Sequence, residues 1–492
     1  MMMNTALDIA TPDELIAEFL NEFRATGNYR RECVARLVAL ATNDKPEIAE
    51  PATAALFASL VERLADSFSP ADVALYNRVF AQTIAHCRQL DKGRAIDAAL
   101  NHFGLRDEAA LLRRAESLRH TNPAARSQNA SVRRVVVLSR VTLGADVAIT
   151  SVIINRCEHE FPNAEIVLVG GRKAVELFGG DARITFKEID YRRAGTTLER
   201  LLSWLDLLEA TREITAGLLP HEWLIVDPDS RLTQLGLLPL GEREENYLFF
   251  PGREYGAMTS HALGQLTAAW LDEVFDAPLR TSPSLSLRRE DIDAASALTK
   301  RLRQANARPI ITVNFGVGEN PAKRVSDDFE QSLVAQLIQQ GATIILDKGA
   351  GADETRRADA VIACAGRVAA ANMIELTEQN FVEALNSEAL NVELLVWNGR
   401  IGMLAALIAQ SDLYIGYDSA GQHIAAAAGT PCIDVFAGYS SPRMLDRWRP
   451  AGSAASRVVA VDPSRAVDTD EILSATLTAA KQRLEASLQS SL

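Results

Sequence analysis

The chain has 492 residues, 48% hydrophobic and 23% charged, an ordinary globular balance with material for about three domains. Its net charge of -13 excludes a chain-wide nucleic-acid binder, because neutralising phosphates needs a basic face. Five scattered cysteines (Cys33, Cys87, Cys157, Cys364, Cys432) form no C-x-x-C pair, which argues against disulfide and zinc frameworks and fits a reducing compartment.

The N-terminus lacks a basic region followed by an apolar core, so no signal peptide is expected. No apolar run approaches the roughly 20 residues that span a bilayer. The expected location is cytoplasmic, with peripheral attachment at the inner membrane face as a further option. Residues 1–120 read as an all-helical domain. Thr11 and Ser69, each followed by Pro and then an acidic residue, start helices with apolar residues recurring on one face. Four more helical patterns fill the region, and His86, His102 and His120 read as ordinary core or surface histidines. The region is either a mediator of protein contact or oligomerisation, or a packing extension. Residues 121–131 are polar and aperiodic and read as a linker.

From 132 the pattern changes to alternating strands and helices. Strands are expected at 134–138, 165–169, 223–226 and 247–250, with helices at 147–160 and 198–208. This is a doubly wound sheet, assigned to 132–285. A second such unit, 286–492, starts with a helix at 291–305 and continues with strands at 309–313, 343–346 and 391–396. Ser326 caps a helix ending at Gly341, and further helices are expected at 404–408 and 470–488. The last strand–turn–helix is the densest motif: Leu413-Tyr-Ile-Gly-Tyr-Asp-Ser-Ala-Gly-Gln-His-Ile-Ala-Ala-Ala-Ala-Gly-Thr-Pro. It reads as a strand at 413–415, a polar turn at 416–422, a helix at 424–428 stopped by Thr430-Pro431, and a strand at 432–436. A turn that joins a strand to a helix points backbone N–H groups at an anion, a diphosphate above all.

Asp418-Ser-Ala-Gly-Gln-His423 followed by Ile-Ala-Ala-Ala-Ala-Gly-Thr-Pro resembles the donor-site signature of the ADP-heptose:lipopolysaccharide heptosyltransferase family, with Ala420 where that family usually has Gly. Two further stretches carry the resemblance. Residues 139–146, Ser-Arg-Val-Thr-Leu-Gly-Ala-Asp, are similar to the family's arginine–leucine–glycine–aspartate loop, with Ala145 inserted. Residues 314–326 are similar to its glycine loop and Lys-Arg-Trp, with Asn314 for Pro and Val325 for Trp. The resemblance covers roughly 132–490. It implies a GT-B fold: α/β, two tandem Rossmann-like doubly wound domains, here preceded by an all-α domain, with strand-end loops facing across a cleft.

What it implies for chemistry is an inverting, metal-independent transfer of a heptose-like sugar from a nucleotide diphosphate sugar to an acceptor hydroxyl. Asp146 would be the general base. Asn314, Gly316, Lys323, Arg324, Arg400, Asp418, Ser419, Ala420, Gly421 and His423 would bind the donor, an ADP-linked sugar being one candidate. Arg140, Asp227, Asp229, Arg231 and Arg253 would face a glycan, lipid-linked or protein acceptor, with His221 and His261 beside them. No cofactor and no metal is expected, although Asp227-Pro-Asp229 also matches the Asp-x-Asp of GT-A enzymes. The alternatives without the resemblance are a helix cap for Asp146, which the residues alone favour, a solvated pair for Lys323-Arg324 and a buried, satisfied histidine for His423. An epimerase or phosphorylase of the same fold, and a non-catalytic partner-binding scaffold, are the alternatives.

Overall fold

The computed structural model describes residues 11–120, 131–318, 320–386 and 390–490, so all but Ser131 of the expected linker lies outside the described residues. Packing divides the chain into two units, residues 1–141, 169–171 and 187–259 in the first, and 142–168, 172–186 and 260–492 in the second.

The helical region begins as the sequence dictates. Thr11 caps Pro12–Thr26 in a reciprocal capping box with Glu14. The helices Arg31–Ala41, Pro70–Cys87, Arg94–His102 and Glu108–His120 follow the apolar periodicity. Pro46–Ala55 passes into a π-helical stretch, Leu56–Glu62. Within the first unit these helices grip the chain that follows strand Trp223–Asp227. The Tyr76 hydroxyl donates to Gln234 over 3.0 Å, Arg231 pairs with Glu62 at 2.6 Å, and Arg114 donates to the Gly236 carbonyl. The gripped segment holds three non-glycine residues at positive φ, Asp229, Gln234 and Leu235, a strain that only surrounding contacts sustain.

The first sheet contains β1 (Arg134–Leu138), β2 (Glu165–Gly170), β3 (Ile184–Glu188), β4 (Trp223–Asp227) and β5 (Tyr247–Phe249), in the order β3-β2-β1-β4-β5. β4 runs parallel to both β1 and β5. The second sheet contains β6 (Ile310–Asn314), β7 (Thr343–Asp347), β8 (Met373–Leu376), β9 (Leu394–Trp397), β10 (Leu413–Tyr417), β11 (Cys432–Phe436) and β12 (Ser456–Ala460). Its order is β12-β11-β10-β6-β7-β9-β8, all parallel. The fold is therefore α/β, with an all-helical region ahead of two parallel sheets.

One face of the second sheet builds an apolar core from Ile311, Val313, Leu346, Ile415, Tyr417, Ile433 and Val435 against Phe329 and Leu333. Strands β3, β8 and β12 escaped the sequence reading because they are partly solvated edge or near-edge strands with no continuous apolar run. Two helix starts lie earlier than expected. The helix expected at 147 begins at Leu143, and the one expected at 424 begins at Ala420 and is stopped by left-handed Gly429.

Candidate functional site

In open parallel sheets ligands gather outside the carboxyl ends of strands where the winding order reverses. In the second sheet that point lies between β6 and β10, since the chain runs from β6 through β7 and returns beside β6 as β10. The two loops leaving it are 315–326 and 418–419. In the first sheet the reversal falls between β1 and β4.

The loop after β10 is shorter than expected. Only Asp418 and Ser419 separate the strand from the helix Ala420–Ala428. Asp418 is buried. Its Oδ2 accepts from the Lys323 ammonium at 2.6 Å, its carbonyl accepts from the same ammonium at 3.2 Å, and its Oδ1 accepts from Gln422 at 2.7 Å. Gln422 also donates to the Trp448 carbonyl. The structure thus joins Lys323 and Asp418, two donor candidates 95 residues apart, into one ion pair. His423 is buried edge-on against Trp448, with ring centroids 5.9 Å apart. Burial lowers its pKa to about 4, with Asp418 pulling it up and Lys323 down, so the imidazole is neutral at pH 7.

Asp146 belongs to the same unit as this turn. It is buried and already helical, with φ -65° and ψ -41°, and its N–H donates to the Thr142 carbonyl. Thr142, in extended backbone, holds the cap position, so Asp146 is not the helix cap. The Thr150 hydroxyl donates to Asp146 Oδ1 over 2.9 Å, an interaction that favours the ionised carboxylate. Gly144 brings this turn against the helix Ala420–Ala428: a Cβ there would lie 3.1 Å from His423 Cδ2 and 3.3 Å from the Ala420 Cα. The segment of the candidate base and that of the donor signature are in direct contact.

The other donor candidates are tied elsewhere. Arg324 is held by Glu330 and Asp327, and Arg400 by Asp291 and Glu378. Asn314 donates to Asp347 and accepts from the Gly316 N–H. In the same loop the Val317 and Gly318 amides donate to Glu354 Oε1, while Ala350 donates to its Oε2. Glu354 is a residue the sequence reading missed. Its signal was the run Gly349-Ala-Gly-Ala-Asp-Glu354, a glycine turn with acids in the first turn of a helix.

The acceptor-side candidates sit in the first unit and are largely sealed. Asp227 is fully buried and accepts from the Ser230 N–H and the Thr233 and Tyr247 hydroxyls, so it knots the loop rather than lining an opening. Burial raises its pKa. Asp229 is paired with Arg253 at 2.8 Å. Arg140 is buried, and burial with Arg253 nearby lowers its pKa to about 9. Asp227 is thus held by protein donors at both oxygens and Asp229 by Arg253. Among the described residues no group of three His, Cys, Asp or Glu is placed to hold a metal ion. His221 lies exposed ahead of β4, at the opposite edge of the sheet from the strand-end loops. His261, in the second unit, is exposed and accepts from Arg447 through its carbonyl.

The Lys323–Asp418 pair thus lies at the switch point of an open parallel sheet, the place where such folds bind ligands. Residues 247–468, just under half of the chain, match the family model described as glycosyltransferase family 9 (heptosyltransferase), so this stretch is similar to the heptosyltransferases. The comparison with curated proteins found no match. Among solved structures, a glycosyl transferase family 9 protein from Veillonella parvula is 16% identical with a TM-score of 0.50, covering 74% of this chain and 99% of its own. ADP-heptose lps heptosyltransferase II from E. coli is 15% identical with a TM-score of 0.44, covering 73% and 100%. E. coli heptosyltransferase WaaC with ADP is 13% identical with a TM-score of 0.44, covering 71% and 99%. At such identities the first likeness speaks for the fold alone. No helix among the described residues is long and apolar enough to cross a membrane, and all five cysteines are free.

Proposed function

We propose that the chain is an inverting, metal-independent glycosyltransferase that moves a heptose-like sugar from a nucleotide diphosphate sugar to an acceptor hydroxyl. The observation that carries this reading is the contact of the Asp146 turn with the helix bearing His423, which puts a buried carboxylate next to the donor turn. Asp146 takes the proton of the acceptor hydroxyl as that oxygen attacks the anomeric carbon, and the nucleoside diphosphate leaves from the other side. The Thr150 hydroxyl, donating to Asp146 Oδ1, holds the carboxylate in place. The leaving diphosphate carries about two to three negative charges, which Lys323 and the first N–H groups of Ala420–Ala428 offset. Lys323 is partly exposed while Asp418 is buried, so the ammonium is the member of the pair presented outward. Neutral His423 contributes a hydrogen bond without a charge of its own.

The acceptor is a glycan, a lipid-linked glycan or a protein, and the sugar is ADP-linked if the family resemblance extends to the base. The test is a panel of nucleotide sugars and acceptors assayed with excess EDTA, with anomeric configuration of the product read by NMR. Retained configuration, or activity lost in EDTA and restored by a divalent ion, refutes the reading.

A further inference from the structure

Beneath the donor turn the second sheet carries a polar row that none of the chemistry above uses. In register, Gly416 of β10 stands between Asn314 of β6 and Asp434 of β11, and Asn314 donates to Asp347 at the end of β7. Alternation turns Val313, Ile415, Ile433, Val435 and Leu346 into the apolar core, which leaves Asn314, Gly416, Asp434 and Asp347 together on the other face. A polar row across four central parallel strands is costly, since such strands are buried on both faces.

Tyr414 explains the two glycines of the signature. A Cβ at Gly416 would lie 2.4 Å from its hydroxyl oxygen, and one at Gly421 would lie 2.0 Å from it. The hydroxyl is therefore threaded between the strand and the first turn of the donor helix, in the middle of the polar row. Tyr414 and Asp434 are both 0% exposed. Among the described residues neither Asp434 oxygen has a hydrogen-bond partner, while the Tyr414 hydroxyl lies near the Ser419 side chain. Burial and the negative charge of Asp418 push the Asp434 carboxyl well above the usual range, with Lys323 opposing. A protonated Asp434 offers one O–H and one acceptor, which suits a tyrosine hydroxyl that both gives and takes. An ionised Asp434 would instead set a second carboxylate beside Asp418 with Lys323 as their shared counter-ion.

We propose that Asp434 and Tyr414 are positioning residues of the donor site, a buried polar floor that sets the height of the turn from Asp418 to Gly421 and leaves Lys323 paired with Asp418 alone. This rests on the donor-site reading above. Neither residue touches the donor, and both act through the turn.

The test compares Asp434→Asn, Asp434→Val and Tyr414→Phe with Lys323→Ala and the wild type. The readouts are the Kd of whichever of ADP, UDP, GDP and CDP the wild type binds, donor and acceptor KM, and Tm. Asp434→Asn, neutral and of the same shape, should keep Kd within about twofold, whereas Asp434→Val and Tyr414→Phe raise Kd and donor KM about tenfold at unchanged acceptor KM. Wild-type Kd in Asp434→Val or Tyr414→Phe overturns the proposal. So does an Asp434→Asn as weak as Asp434→Val, which would mean that the carboxylate works as an anion. Should Asp434→Val fail to fold, Asp434→Asn and Tyr414→Phe still decide. A wild type that binds none of the four nucleotides, or a Lys323→Ala that binds normally, refutes the donor-site reading itself and is told apart by that control.

Discussion

Gly144→Ala probes the contact on which the enzymatic reading depends. The added Cβ would stand 3.1 Å from His423 Cδ2 and 3.3 Å from the Ala420 Cα. Carbon atoms prefer about 3.5–4.0 Å, so one side must give by roughly half an ångström. His423 is buried against Trp448 and Ala420 is backbone, so the shift falls on the turn that carries Asp146. Alanine in a helical turn is worth about 0.5–1 kcal/mol over glycine, which offsets much of the crowding, and Tm should move by only a few degrees. Activity has no such offset. A misplacement of about 1 Å costs on the order of a hundredfold, so half of that costs roughly tenfold. The assay is kcat at saturating donor and acceptor beside nucleotide Kd and Tm. A variant with raised Tm and wild-type kcat would show that the two segments need not be in register for turnover, and the argument would fail.

Asp146→Asn should lower kcat by about 10²–10⁴-fold with nucleotide diphosphate Kd unchanged, and near-normal turnover would remove Asp146 from catalysis. Thr150→Val removes the hydrogen bond to the carboxylate, so the acid limb of the kcat–pH profile should move to higher pH while the plateau falls less than in Asp146→Asn. Lys323→Ala should weaken nucleotide diphosphate binding by calorimetry, and the loss should shrink with salt. His423 titrates near 4 when folded and near 6.5 when unfolded, so the unfolded chain binds more protons between those values. Stability therefore falls as pH drops through that window, by about 3 kcal/mol from this residue, and urea melts of His423→Gln should show the flatter pH dependence.

What could be read from the residues follows from where burial is two-sided. The strands at both switch points, β1, β4, β6 and β10, are short apolar runs because parallel central strands have no wet face, and the loops after them followed directly. Helix starts with a hydroxyl residue before Pro, as at Thr11 and Ser69, were equally plain. The readings that went astray involve glycine. Gly416 and Gly421 look like turn residues in one dimension, yet neither has a positive φ. One is in a strand and the other in a helix, and both are small because the Tyr414 hydroxyl fills the space. Gly144 likewise sits in a helical turn, pressed against another helix rather than bending the chain.

The residues that stayed invisible share a different cause. Asp434 is one polar letter in a hydrophobic strand, and it means something only once register sets it beside Gly416. Glu354 looks like any acid in a first helical turn until the amides of a loop 36 residues away are seen to converge on it. In both cases an internal carboxyl occupies ground near where a diphosphate would be sought, but to opposite effect. Glu354 takes the Val317 and Gly318 amides early in the loop after β6, which on the proposed reading leaves the anion to Lys323, later in the same loop, and to the helix Ala420–Ala428. Asp434, buried with no hydrogen-bond donor among the described residues, belongs to the floor proposed to leave Lys323 to Asp418 alone. This division within the loop after β6 is why Lys323, rather than the glycine stretch that precedes it, is the residue on which donor affinity should turn.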